Sequence, residues 1–166
     1  AQGKPLMALD IGRGEPKKKP LLVLFCRARP AGVAGFFRLQ AFVSALLRDN
    51  ALSDAFLADY RVLVFPLLNP DGADLGHWLA NTNGADLQYD WGSYRQPEVR
   101  MVAEYLVEIV KSNRHQMTLA LDFQSGRKEA YLLANPEGEE SEPSVGEQWI
   151  KAVWDTRNVQ PFVQLK

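Results

Sequence analysis

The sequence predicts an α/β fold, a mostly parallel or mixed twisted sheet with helices on both of its faces. Three observations predict it. Continuous apolar runs at residues 21–26 (LLVLFC) and 61–68 (RVLVFPLL) suit strands buried on both sides. Residues 33–48 and 96–113 change period, with apolar side chains recurring at helical spacing. The two patterns alternate along the chain, as they do where helices cover a sheet with parallel strands.

In order, residues 6–11 form the first predicted strand, closed by Gly12-Arg13-Gly14. The strand at 21–26 lies between Pro20 and Pro30. The helix over 33–48 carries Phe36, Phe37, Leu39, Phe42, Val43, Leu46 and Leu47 as a broad stripe, with Pro30 just upstream where helices commonly begin. A shorter helix is expected over 53–59. In the strand at 61–68, Pro66 marks an edge position, a bulge or the strand end. Asn69-Pro70-Asp71-Gly72 has turn chemistry, with proline second and glycine fourth. Residues 73–95 are polar, aromatic and glycine-rich and read as a long loop, a feature that in compact domains is often functional. The helix over 96–113 places Val99, Val102, Ala103, Leu106 and Val110 on one face. Residues 117–123 read as a third buried strand and 129–134 as a fourth. An acidic surface loop follows at 135–146, then a helix from Glu147 to about residue 156 and a last strand at 159–165. There is no internal repeat, and residues 1–166 are expected to form a single domain.

Composition excludes several functions. The net charge is -1, from 19 basic and 20 acidic residues, which argues against nucleic acid or an anionic membrane as partner. The basic run Lys17-Lys18-Lys19 is too short for a basic tract and reads as a solvated turn. The single cysteine, Cys26, cannot form an internal disulfide and reads as a small buried hydrophobe. No stretch approaches the roughly 18 apolar residues of a membrane span, and the start has no signal-peptide core, so a soluble domain is expected. No compartment or oligomeric state can be read from these features. Of the two histidines, His77 reads as a surface residue packed on an aromatic, and His115 as a cation near a helix C-terminus. Ser125 lacks a G-x-S-x-G elbow, and no phosphate-binding glycine loop is present. Trp78, Tyr89, Trp91 and Tyr94 read as packing and loop-anchoring residues, with a weak peptide groove as the second reading.

In α/β sheets, sites form beyond the carboxyl ends of the strands. That rule nominates three segments, 27–32, 69–91 and 124–127. The same segments carry a resemblance. Residues 27–32 (RARPAG) are similar to R-x-H-P-x-E, and residues 121–125 (LDFQS) to L-D-F-H-S. Residues 69–91 are similar to N-P-D-G-x-x-x-G-x-x-R-x-N-x-x-G-x-D-L-N-R-x-W, matching at Asn69, Pro70, Asp71, Gly72, Gly76, Asn81, Gly84, Asp86, Leu87 and Trp91. Gln96-Pro97-Glu98 matches a further Q-P-E. These are the signature regions of the zinc metallocarboxypeptidases, which the chain resembles from about residue 5 to residue 127. The resemblance implies that family's phosphorylase/hydrolase-like fold, trimmed at both ends: the usual first strand and helix are missing, and no glutamate after residue 124 has the context of the family's general base.

The resemblance also implies where the chemistry has changed. The three zinc-ligand positions hold Arg29, Gly32 and Gln124, and the positions that bind the substrate's carboxylate and polarise its carbonyl hold Leu79, Gln88 and Tyr89. Catalytic zinc needs three nitrogen, sulfur or carboxylate donors. A guanidinium has no lone pair to give, glycine has no side chain, and a lone amide oxygen is a poor donor. Leucine cannot replace the bidentate carboxylate contact of arginine. Asp86 is retained; in the family the matching aspartate orients a zinc-binding histidine. A packed aspartate needs a partner, and Arg29 is the expected one. The expectation is a degenerate, non-catalytic carboxypeptidase-like domain, either a natural pseudoenzyme or an engineered derivative, with no catalytic residue, no zinc or other cofactor, and at most weak peptide binding. The alternatives are a zinc carboxypeptidase acting on peptide C-termini with displaced ligands, and a peptide-binding or protein-interaction module using the old cleft.

Overall fold

The structure, a computed structural model, describes residues 3–125 together with Gln148 and Ala152. The chain divides into two compact units, Ala1–Gly126 and Arg127–Lys166. The first carries the whole architecture below. In the second, Gln148 and Ala152 are helical, at positions where the sequence places a helix. The strands expected at 129–134 and 159–165 and the acidic loop at 135–146 lie outside the described residues.

Strands β1 (Leu9–Ile11), β2 (Pro20–Cys26), β3 (Arg61–Phe65) and β4 (Gln116–Phe123) form one sheet in the order β1-β3-β2-β4. β2 is parallel to both β3 and β4, and β1 runs antiparallel to β3, so the sheet is mixed. Successive side chains of a strand point to opposite faces, and the apolar run in β2 serves both. Leu21 and Val23 join Leu63 and Phe65 beneath helix α4 (Pro97–Asn113), which contributes Val99 and Val102. Leu22, Leu24 and Cys26 join Val62 and Val64 on the other face, against Leu39 of α1 (Val33–Leu46) and Leu57 of α2 (Ala51–Asp59). Each such aliphatic side chain contributes on the order of 1.5–3 kcal/mol by leaving water. Helices therefore cover both faces, as the sequence predicts.

The differences from the sequence reading have local causes. Residues 69–72 are the start of a short helix, α3 (Pro70–Asp74), rather than a free turn. The Asn69 side chain accepts from Gly72 N at 3.0 Å as an N-cap, and Pro70 sits at the first helical position, where its missing N–H costs nothing. The long loop after it contains a 3-10 turn over Leu87–Gly92, opened by Asp86, whose carboxylate accepts from Gln88 N at 3.1 Å. β3 stops at Phe65, so Pro66 lies just past the strand, and β3 is interior rather than an edge. β4 is not buried as expected: its residues are half-buried or exposed, because β2 is its only strand neighbour among the described residues. Cys26 is fully buried and its thiol donates to Phe123 O at 3.3 Å; burial raises its pKa from 9.0 to about 11. His115 lies just past the C-terminus of α4 and is buried, with Nδ1 2.7 Å from Lys19 O, which ties the end of α4 to the start of β2. Lys17 and Lys18 occupy an exposed turn. No helix among the described residues is long and apolar enough to cross a membrane.

The buried carboxylate of Asp90 fixes how the 3-10 turn enters α4. It accepts from Ser93 Oγ at 2.7 Å, Arg95 N at 3.1 Å and Gln96 N at 2.7 Å. Burial pushes its pKa up, but these donors outweigh burial and hold it below the ordinary carboxylate value. A carboxylate with a depressed folded-state pKa stabilises the fold above its unfolded pKa, and that contribution is lost as pH falls through the folded value. Thermal melting of Asp90→Asn should therefore fall below wild type at neutral pH, with the gap closing only at pH values under about 4. A gap that stays constant down to low pH would contradict this role.

Candidate functional site

The ends of β2 and β4 and the loop after β3 meet at one end of the sheet, and each brings residues of a nominated segment. β2 delivers Arg29 through a tight exit in which Arg27 takes a positive φ of 53° and its guanidinium donates to Pro30 O. The loop after β3 is held to this exit by two contacts. Asn69 Nδ2 donates to Ala28 O at 3.2 Å, and Ala31 N donates to Trp78 O at 3.3 Å.

Arg29 and Asp86 meet, as the sequence leads one to expect. Arg29 Nε donates to Asp86 Oδ2 at 2.8 Å, and Nη2 lies 2.7 Å from the same oxygen as an ion pair. Nη2 also lies 3.4 Å from the Tyr89 hydroxyl, and the guanidinium carbon sits 5.5 Å from the centre of the Tyr89 ring. The two charged side chains keep 30% and 19% of their surface, so the pair is shielded but not sealed. The hydrogen bond that the guanidinium donates to Asp86 holds its pKa above its already high ordinary value. The second oxygen of Asp86 is engaged by Gln88 N, so this carboxylate is fully used by its own chain.

Gln88 and Gln124 also meet. Gln88 Nε2 donates to Gln124 Oε1 at 2.9 Å, and Gln124 Nε2 donates to Asp122 Oδ2. Gln88 Oε1 is buried with no hydrogen-bond partner among the described residues. Gly32 lies close by: a side chain added there would meet Arg29 O at 3.0 Å and Ser125 Oγ at 3.7 Å. Leu79 is exposed, next in sequence to the exposed Trp78. His77 Nδ1 lies 3.3 Å from Ala80 O in its own loop. Of the aromatic set, Trp91 packs against Phe25 with ring centres 5.1 Å apart, while Trp78 and Tyr89 are 74% and 69% exposed.

Sequence reasoning missed three contributors. Ser125 Oγ accepts from Gly35 N at 2.7 Å, and Arg38 Nη1 donates to Gln124 O at 2.9 Å, so the first turn of α1 is bonded to the end of β4. The usable signal was Gly35, a glycine inside a helical pattern, which commonly marks a close backbone approach. Among the described residues, no group of three or more His, Cys, Asp or Glu side chains is placed to hold a metal ion. The arrangement is instead one of direct salt-bridge and amide contacts.

Comparison with known proteins gives this geometry its family. A family model described as zinc carboxypeptidase matches residues 1–151. The chain is 35% identical over 81 residues to cytosolic carboxypeptidase 2 of Danio rerio, a match covering 48% of this chain and 11% of that protein. It is 28% identical over 76 residues to cytosolic carboxypeptidase 2 of Xenopus tropicalis, covering 46% of this chain and 8% of that protein. The chain thus matches about a tenth of the length of these curated relatives. Among solved structures it resembles a metallo-carboxypeptidase from Burkholderia cenocepacia, with a TM-score of 0.72 at 19% identity, covering 99% of this chain and 45% of the other. A metallo-carboxypeptidase from Pseudomonas aeruginosa, solved with (2-guanidinoethylmercapto)succinic acid, gives 0.69 at 22% identity, covering 99% and 44%. At that identity the structural likeness speaks for the fold alone, and the fold is the zinc carboxypeptidase one. With the family model spanning most of its length, the chain belongs to the zinc carboxypeptidase family.

Proposed function

We propose that this chain carries the carboxypeptidase fold without its hydrolytic chemistry, as a natural pseudoenzyme or an engineered derivative. The observation that supports this most is the Arg29–Asp86 pair: a guanidinium occupies the place that resemblance gives to the first zinc ligand, and its own carboxylate partner holds it there. A cation fixed at that place repels a divalent ion rather than binding it. Gly32 has no donor atom, and the Gln124 amide oxygen already accepts from Gln88. These residues do not fit zinc, whose catalytic sites need three nitrogen, sulfur or carboxylate donors and one open position. The exposed Leu79 and the phenol of Tyr89 offer no bidentate grip on a substrate carboxylate.

A second reading, weak peptide binding in the old cleft, is supported by the exposed Tyr89 against Arg29 and by the exposed Trp78, whose backbone O accepts from Ala31 N. Incubation with a peptide panel in the presence of zinc, followed by mass spectrometry, tests both readings. We expect every peptide to stay intact, with weak retention of some on the immobilised protein. Release of C-terminal residues that is abolished by a chelator would sink the non-catalytic reading in favour of a zinc carboxypeptidase with displaced ligands.

A further inference from the structure

The three strand-end segments are joined pairwise by their own side chains, and the joins close on themselves. Arg29 reaches Asp86 and Tyr89, which connects the exit of β2 to the loop before α4. Gln88, held at its backbone by Asp86, reaches Gln124 at the end of β4. The end of β4 returns to the first turn of α1 through Ser125 to Gly35 N and Arg38 to Gln124 O. α1 is continuous with the exit of β2, where Gly32 N donates to Arg29 O at 3.0 Å. Among the described residues, each of the three segments is bonded to another.

We propose that this closed ring of side chains does the mechanical work of a bound ion, with the Arg29 guanidinium as a built-in cation that cross-links the three segments. This inference rests on the reading that the chain takes no zinc, and goes beyond it by assigning a role to the residues that stand in the ligand positions. Three features carry it. The guanidinium meets Asp86 Oδ2 with a charge-assisted hydrogen bond from Nε and an ion-pair contact from Nη2, so that a directional bond and the charge act at one atom. The Tyr89 ring lies against the same guanidinium, which adds a third point of attachment. The Gln88 amide is held only through its nitrogen, since its oxygen has no partner among the described residues, so it depends wholly on Gln124. Opening the ring at one join should therefore loosen the next, because residues in one hydrogen-bond network lose additivity.

The test is thermal melting of the full chain as wild type, Arg29→Met, Gln124→Met and the double variant, each in chelator and in added zinc chloride. The expected result is a wild-type melting temperature that is the same in both solutions. Each single variant should melt several degrees lower, and the double variant should lose clearly less than the two single shifts added together. Arg29→Lys, which keeps the charge without the planar guanidinium, should also melt below wild type and covers the case in which Arg29→Met fails to fold. Single shifts that add, or single variants that melt as wild type, would overturn the ring while leaving the zinc-free reading intact. A wild-type melting temperature that rises in zinc would overturn both.

Discussion

Replacing Gly35 with alanine should lower the melting temperature by about 10 °C or more, or abolish folding, although alanine is the better helix former by roughly 1 kcal/mol. The reason is a backbone approach. A β-carbon on Gly35 would lie 2.3 Å from the Phe123 carbonyl oxygen, 2.9 Å from its carbon and 3.1 Å from the Gln124 carbonyl carbon. None of these is the movable end of a side chain. α1 would have to retreat from β4, which would stretch the 2.7 Å bond from Gly35 N to Ser125 Oγ and separate Phe42 from Phe123, whose rings are 5.7 Å apart. Overpacking against side chains costs about 1–3 kcal/mol, and packing against a strand's backbone should exceed that. Gly92→Ala is the control: nothing lies within 4 Å of a β-carbon there, so it should melt near wild type. Circular dichroism melts of the two variants decide the matter, and a Gly35→Ala melt close to wild type would contradict the described approach.

Asn69→Ala should be nearly as damaging. Asn69 is fully buried, and its amide works at both ends. Its oxygen caps α3 through Gly72 N at 3.0 Å, and its nitrogen donates to Ala28 O at 3.2 Å, one residue before Arg29. Losing a cap costs about 0.5–2 kcal/mol, and leaving a buried carbonyl unsatisfied costs about 1–3 kcal/mol. The sum, on the order of 1.5–5 kcal/mol, should lower the melting temperature by roughly 3–20 °C. Asn50→Ala provides the comparison. Asn50 also caps a helix, accepting from Ser53 N at 2.9 Å, but it is exposed and ties no second segment. It should cost only about 1 kcal/mol. Equal losses for the two variants would show that the link to Ala28 contributes nothing.

These residues also show why some features could be read from the sequence and others could not. α1 and α4 were legible to within one or two residues at most ends because their apolar faces repeat at helical spacing over several turns. β2 was legible because its apolar run is long enough to serve both faces of the sheet. α3 was not, because asparagine followed by proline opens a turn and a short helix with the same chemistry, and five residues give no periodicity to separate them. β4 was read as buried because an apolar run does not reveal how many strands flank it. At the site, the Arg29–Asp86 pair was legible because an aspartate in a packed loop needs a donor and Arg29 stands in a segment expected at the same end of the sheet. The Gln88–Gln124 contact was not, since amides donate and accept alike and a sequence does not choose their partners. The bond from Ser125 to Gly35 was hidden for a related reason: it depends on how closely α1 approaches β4, a distance fixed by packing rather than by residue type.

On the function proposed above, the Arg29 guanidinium stands where the family resemblance places the first zinc ligand. Zinc stoichiometry tests it most directly: metal-free protein is equilibrated with excess zinc, freed of unbound ion by gel filtration, and assayed by elemental mass spectrometry beside Arg29→Met. The account predicts zinc far below one ion per chain in both, because removing the guanidinium restores no donor at Gly32 or Gln124. One zinc per chain in the wild-type protein would contradict it.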